Sequence, residues 1–338
     1  MNNVLITGGA GFIGFHLAKR LFAEMNHGKV VCFDNMNDYY SVHLKNKRKT
    51  LLAELSQHSG VGYWFVKGDV ANKETVSMLI KTFKPDVVVH LAAQAGVGYS
   101  VKNPESYLRS NVDGFWNVLN ECAINNVPHF VYASSSSVYG DNDGVCVEDC
   151  KTDSPVSFYA ATKKCNEVFA QTYSSLYNLP CTGIRFFTVY GPYGRPDMSY
   201  YKFSDILTSG GKVELYNNGN CKRCFTYVDD AVECIVRIMK NPPQTDVPHE
   251  IYNVCGKSFG VKLFFAILHK RLADIGLIND GNYEDFVNYV PLQTGDVDNI
   301  LGNMDKFEKQ FGKVELTPLI PGLEEFAKWY AGHYGCYK

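Results

Sequence analysis

The sequence predicts an α/β protein: a doubly wound parallel sheet followed by a smaller, mixed α/β C-terminal lobe. Three observations predict it. A short apolar run near the start, Val4-Leu5-Ile6, ends in glycines that open into an amphipathic stretch over 12–22. Further apolar runs follow, each separated from the next by enough chain for one helix. The alternation then loosens after Gly191, where glycine and proline enter.

Size and composition narrow the function classes. A chain of 338 residues, 46% of them hydrophobic, can bury a sizeable core. A net charge of −2 gives no field that favours nucleic acid or an anionic membrane, and neither is expected as a partner. No apolar run is long enough to span a bilayer. The first strand begins within the first few residues, so no secretory leader is expected. The 11 cysteines are an odd number and scattered, which predicts free thiols and a cytoplasmic protein. Cys221-x-x-Cys224 has a metal-like spacing, but a structural zinc needs two such pairs. The other close pair is Cys146 and Cys150, and no metal is expected. The basic run Lys45-Asn46-Lys47-Arg48-Lys49 reads as a solvated helix face.

The elements follow in order. Val30-Val31-Cys32-Phe33 is the second strand and ends at Asp34. A polar loop leads into a helix that reaches about Gln57. Tyr63-Trp64-Phe65-Val66 is the third strand, a helix covers 73–83, and Val87-Val88-Val89-His90-Leu91 is a buried strand. A long helix is predicted over 104–125, then the strand Phe130-Val131-Tyr132-Ala133. Helices are also read over 264–275 and 323–330. The expected division is 1–187, with returning segments at about 227–256, for the sheet domain, and 188–226 with 257–338 for the lobe. In such sheets ligands bind at the carboxyl ends of the strands. Those ends carry Gly8, Asp34, Asp69, Ala92–Gln94 and Ser134–Ser137.

Chemistry enters at two of these ends. In Gly8-Gly9-Ala10-Gly11-Phe12-Ile13-Gly14, Gly8 makes the turn, Gly11 lets backbone approach a pyrophosphate, and Gly14 lets helix pack on strand. Asp34 lies 20 residues beyond Gly14. A carboxylate there accepts ribose hydroxyls and repels a 2′-phosphate, so the expected cofactor is NAD. At the other end, four serines follow a strand, and Tyr159-Ala160-Ala161-Thr162-Lys163 opens a helix. Positions four apart share a helix face, so the Lys163 ammonium should sit beside the Tyr159 phenol and lower its pKa. A tyrosine ionising near neutrality is a base for a sugar alcohol, and a neighbouring serine can relay the proton.

With these motifs the chain resembles the extended short-chain dehydrogenase/reductases that act on nucleotide sugars, which carry a Rossmann domain. The resemblance runs nearly end to end. It is closest to the UDP-glucuronate 4-epimerases, through 34–40, 92–97, 133–140, 185–192 and Gly194-Arg195-Pro196-Asp197-Met198. The resemblance implies a catalytic set of Ser135, Tyr159 and Lys163. It implies cofactor contacts at Gly8, Gly11, Phe12, Ile13, Gly14, Asp34, Asn35, Asn37, Asp69, Val70, Leu91, Ala92, Ala93, Gln94 and Phe186, with Lys163 on the nicotinamide ribose. Ser136, Ser137 and Thr188 match hydroxyls around a sugar carboxylate. Lys202 and Phe203 fall where the family wraps uracil, and Arg223 and Asp296 where it holds the diphosphate and a ribose. A homodimer is implied by fold analogy, through 104–125 and 158–177.

Three positions depart from the family pattern. Gly98 stands where an arginine is usual, Cys224 where an acid is usual, and Asp298-Asn299-Ile300 replaces Pro-Ala-Thr. Arg195 is the nearest substitute cation by motif. The implied reaction is C4 epimerisation of a UDP-hexuronate: Tyr159 removes the C4 proton through Ser135, hydride passes to NAD⁺, and the 4-keto sugar turns over and is reduced on its other face. The rivals are a UDP-glucose or UDP-N-acetylhexosamine 4-epimerase, a UDP-glucuronate decarboxylase or a dehydratase, and a catalytically silent NAD sensor. Decarboxylases of the family carry a glutamate, and dehydratases an Asp-Glu pair, where this chain has Ser136 and Ser137. Silent relatives commonly lose the Tyr–Lys pair that this chain keeps.

Overall fold

The structure is a computed structural model that describes residues 1–142, 144–291 and 299–333. The chain opens as β1 (Asn3–Thr7), α1 (Phe12–Glu24), β2 (Lys29–Asp34), α2 (Val42–Ser56), β3 (Gly62–Lys67), α3 (Lys73–Phe83) and β4 (Val87–His90). After α4 (Val97–Lys102), α5 (Pro104–Tyr107) and α6 (Gly114–Ile124) come β5 (His129–Ser135), β6 (Val145–Cys146), α7 (Phe158–Tyr177), β7 (Cys181–Phe186) and β8 (Thr188–Tyr190). Then follow α8 (Ser199–Thr208), β9 (Val213–Leu215), β10 (Lys222–Tyr227), α9 (Val228–Met239), β11 (His249–Val254), β12 (Lys257–Gly260) and α10 (Val261–Asp274). The last elements are β13 (Val287–Tyr289), β14 (Asn299–Gly302), α11 (Asp305–Phe311) and α12 (Leu319–His333).

Seven strands form one sheet in the order β11-β7-β5-β4-β1-β2-β3. Every pairing in it is parallel. Strands buried on both faces need continuous apolar runs, and β4 is buried along its whole length. Helices α1 and α9 pack on one face, while α3, α6 and α7 cover the other. The winding reverses at β1, which has β2 on one side and β4 on the other. That switch opens a crevice at the carboxyl ends of the strands.

The later elements build the lobe. Strands β12, β10, β14 and β6 form a second sheet with β8 beside β10, and β9 pairs with β13. Its core is aromatic. Phe225 stacks on Phe264 at 4.0 Å, and Tyr190, Tyr200 and Phe326 close around them. Among the described residues no helix is long and apolar enough to cross a membrane.

Two expectations are corrected. The helix predicted over 104–125 is interrupted by a π-helical stretch, Leu108–Asp113. The extra residue per turn aims Asn111 inward, where it accepts from Gln94 N (2.8 Å) and donates to Gln94 O (3.0 Å) and Thr162 Oγ1 (3.0 Å). Gly114 follows because a Cβ there would meet Val70 at 2.5 Å. The basic run on α2 is only half solvated. Lys47 and Lys49 are exposed, but Lys45 and Arg48 are buried. They lie three apart on the inner side of the helix with Leu44 and Leu52, and their charged heads find acceptors there.

Candidate active site

The glycine turn is built for close backbone approach. Gly8 has φ +72°, and a Cβ on it would lie 2.8 Å from Ala92 N. A Cβ on Gly14 would lie 2.3 Å from Gly8 O. Gly11 is the N-cap of α1 and offers no side-chain cap, so the helix presents bare backbone N–H groups at Phe12 and Ile13. A cradle without side chains, at a helix N-terminus, fits a dinucleotide pyrophosphate.

The flanking residues complete that fit. Asp34 ends β2, and its carboxylate accepts from Ala10 N (3.1 Å) and Met36 N (2.8 Å). It is thereby fixed beside the glycine turn with lone pairs left for a ribose. Asn35 Oδ1 accepts from Asn37 N (3.0 Å), and Asn37 Oδ1 from Lys45 Nζ (2.7 Å). Asp69 closes its own turn on Ala71 N (2.9 Å), with Val70 buried beside it. Ala92 N donates to Thr7 Oγ1 (3.2 Å), which sets the Leu91–Gln94 segment against β1. Phe186 ends β7 in register with Ser135.

The candidate catalytic group stands at the next strand end. Ser157 caps α7 by accepting from Ala160 N (3.1 Å), which places Tyr159 in the first turn. Residues 159, 163 and 167 then share one face. The Tyr159 phenol lies close enough to Ser135 for that hydroxyl to favour its ionised form. Ser135 Oγ also donates to Ser137 Oγ (3.1 Å) and accepts from Ser137 N (3.2 Å), so Ser136 and Ser137 form a tight 3₁₀ turn beside it. Lys163 is 2% exposed and donates to Ala133 O (2.8 Å), with its ammonium 5.9 Å from the Tyr159 ring centroid. Tyr107 meets the Tyr159 ring edge-on at 6.1 Å.

The electrostatics differ from the expected near-neutral phenol. Burial pushes Tyr159 above its ordinary value, against the opposing pull of Ser135 and the Arg195 cation. Lys163 has its ammonium 5.9 Å from the ring centre, and burial, then Arg195, lowers its own pKa to about 8. Arg195 is a cation whose charge favours the ionised phenol. Asp197 grips Arg195 in a fork, Nε to Oδ1 at 2.9 Å and Nη2 to Oδ2 at 2.8 Å. Tyr39 donates to the same carboxylate at 3.3 Å.

The other substrate candidates sit further out. Thr188 begins β8 opposite Phe225. Lys202 is exposed on α8, and its neighbour Phe203 packs into the lobe against Phe265 at 5.6 Å. Arg223 lies on β10 with Nη1 on Lys222 O (2.9 Å). Asp296 lies outside the described residues. Gly98 is exposed, and a Cβ added there would meet nothing within 4 Å, so the place of the family's arginine is open space.

Several residues at the site were missed from sequence: Asn111, Asp197, Tyr39 and Glu167. Asp197 had a signal, since it stands two residues from Arg195 within one motif. Glu167 had one as well, four residues beyond Lys163 on the same face.

The chain is similar to known proteins along nearly its whole length. Protein CapI of Staphylococcus aureus is 41% identical over 349 residues, covering 98% of this chain and 99% of that protein. UDP-glucuronate 4-epimerase 4 of Arabidopsis thaliana is 38% identical over 351 residues, covering 98% of this chain and 76% of that protein. Among solved structures, the UDP-glucuronic acid 4-epimerase of Bacillus cereus with UDP-glucuronic acid and NAD superposes with a TM-score of 0.87 at 26% identity, over 98% of this chain and 99% of that one. The glycine turn, the Asp34 strand end and the Ser135–Tyr159–Lys163 group all fall inside residues 4–255, which match the family model of that description, and the chain belongs to the NAD dependent epimerase/dehydratase family.

Proposed function

We propose that the protein is an NAD-dependent 4-epimerase that interconverts UDP-glucuronate and UDP-galacturonate. The observation that carries this reading is the composition of the site around Tyr159. It holds the hydroxyls of Ser135, Ser136 and Ser137, to which we add Thr188 on β8, and, besides Lys163, the held cation Arg195. Hydroxyls and a guanidinium can grip a sugar carboxylate without offering a second acid/base pair to C5.

The roles follow from position. Gly8, Gly11, Gly14 and Asp34 would hold NAD, which when bound supplies the hydride acceptor and donor. Tyr159, as phenolate, takes the C4 hydroxyl proton through Ser135 and returns it after the ring has turned over. Its burial makes the free phenol a weak acid, so it reaches the basic state through nearby positive charge. A 4-keto uronate is a β-keto acid prone to lose CO₂. Neutral donors at Ser136, Ser137 and Thr188 hold its carboxylate in place. The segments 1–187 and 227–256 are read as the cofactor domain, and 188–226 with 257–338 as the sugar-nucleotide lobe. We place Lys202 and Phe203 at the uracil, and Arg223 and Asp296 at the diphosphate and ribose.

Two further properties belong to this reading. A homodimer through α6 and α7 is supported by their exposed apolar residues Trp116, Ile124, Val168, Leu176 and Tyr177. A reducing, cytoplasmic setting is supported by the ten described cysteines, none of which forms a disulfide. The experiment is direct. Pure protein, with no NAD added, is incubated separately with UDP-glucuronate, UDP-galactose and UDP-N-acetylglucosamine, and products are read by NMR. Galacturonate from glucuronate is expected. Turnover of the neutral sugars alone, or UDP-pentose and CO₂ as the main products, would overturn the reading.

A further inference from the structure

The least expected group near the cofactor turn is a buried guanidinium. Arg48 is fully buried on α2, and among the described residues no carboxylate lies within ion-pair distance of it. A cation that is taken out of water without a counter-ion is costly unless its hydrogen bonds are met. Four of them are, on three separate stretches of chain. Nη1 donates to Ala10 O (2.8 Å) in the glycine turn and to Tyr40 OH (2.7 Å). Nη2 donates to Tyr193 O (2.6 Å) and Gly194 O (3.2 Å). The Arg48 Cζ also lies 5.5 Å from the Tyr40 ring centroid.

The Tyr193–Gly194 stretch is held in a conformation that needs such a tie. Tyr193 has φ +56°, in the left-handed region that non-glycine residues seldom adopt. A Cβ on Gly194 would fall 1.9 Å from Tyr200 OH, so the chain has no slack there. Pro192 O bonds His16 Nε2 (2.9 Å) on α1, and the Tyr193 ring packs on Phe15 at 4.8 Å and Trp329 at 5.0 Å. The next residue is Arg195, a cation whose charge favours the Tyr159 phenolate.

We propose that Arg48 is a positioning residue that ties the dinucleotide turn to the segment carrying Arg195, so that the hold on cofactor and the hold on sugar are set by one side chain. The proposal rests on the reading of the crevice as an NAD and UDP-uronate site. It gives Arg48 a role through Ala10 and the Tyr193–Gly194 stretch that needs no contact of its own with either ligand. The planar fork is essential to it: a lysine ammonium carries its three donors on one nitrogen and cannot span acceptors on both sides.

The test uses the purified holoenzyme and its Arg48→Lys and Arg48→Ala variants. Arg48→Lys keeps charge and stem, so it alone decides the matter if Arg48→Ala does not fold. Hydrogen exchange is read on peptides covering 8–14 and 190–198, with 181–186 as reference. Both tied segments are expected to exchange faster together, by about tenfold or more, while the reference strand does not change. The release rate of bound NAD and the KM for UDP-glucuronate should rise in parallel, by about tenfold, with a smaller change in kcat. In Arg48→Ala, guanidinium ion at low millimolar concentration should restore NAD retention where ammonium does not. Acceleration confined to one segment, equal acceleration at 181–186, or an NAD release rate that does not move would overturn the proposal. A wild type inactive on UDP-glucuronate would sink the functional reading instead. The exchange and NAD-release measurements would still decide the tie.

Discussion

The pair behind the catalytic helix offers a perturbation whose size can be worked out. Glu167 lies on α7, two turns beyond Tyr159, and Arg185 lies on β7. Both side chains are 4% exposed. Arg185 Nε and Nη2 reach the two Glu167 oxygens at 2.9 Å each, and Ser134 Oγ donates to Glu167 Oε1 at 2.6 Å. The pair therefore ties the helix of Tyr159 and Lys163 to the strand end of Ser134 and Ser135. Glu167→Gln keeps shape and volume but leaves the guanidinium buried opposite a neutral amide. Removing one partner of a buried pair costs about 3–5 kcal/mol. An unfolding entropy of about 2.1 cal/mol/K per residue, over 338 residues, gives roughly 0.7 kcal/mol/K, so the midpoint should fall by about 4–7 °C. The assay is thermal and urea unfolding followed by circular dichroism, with Arg185→Met and the double variant completing a cycle. The double variant should be distinctly more stable than the sum of the singles, because it leaves no unpaired charge. A Glu167→Gln midpoint within about 1 °C of wild type, or strictly additive losses, would refute the reasoning.

Other outcomes are expected at the site. Tyr159→Phe should lose about 10²–10⁴-fold in turnover while NAD stays bound, and Ser135→Ala should lose less; steady-state rates and the NAD content of denatured protein check both. Lys163 titrates at about 8 in the fold against 10.5 when free, mainly through burial, so the unfolded chain holds more protons between those values. Its cost to stability is full below pH 8 and is relieved as pH rises to 10.5, by roughly 3 kcal/mol. Urea unfolding of the cofactor-free protein should therefore show wild type gaining on Lys163→Met between pH 8 and 10, and parallel pH profiles would contradict this. Gly98→Arg meets open space, so it should fold normally and lower the KM for UDP-glucuronate about two- to five-fold, the worth of a partly solvated ion pair; an unchanged KM would remove that position from substrate binding.

What the sequence determined by itself was whatever depends on neighbours along the chain. The glycine spacing needs only backbone sterics, and Gly8 and Gly14 stand where any Cβ would strike the turn. Buried parallel strands must be apolar throughout, so β1, β2, β4 and β5 were legible as runs. The i, i+4 relation placed Lys163 under Tyr159 without any knowledge of the rest. Much of the site assignment came through resemblance to a family, because residues such as Thr188 and Arg195 carry no local signature of their own. Tertiary structure decided which charges meet. Periodicity sees one side of a helix as polar, and so Lys45 and Arg48 passed for solvent-facing residues until Asn37, Ala10 and Tyr193 were brought over them. The π-helical turn that points Asn111 at Gln94 arises because two distant segments need one amide between them. The phenol's direction of shift was likewise invisible: adjacency to Lys163 suggested a lowered pKa, but burial depends on everything packed around Tyr159, and that sum raises it. Local geometry fixes which side chains can act. Desolvation and the long-range partners that only folding supplies fix how strongly they act.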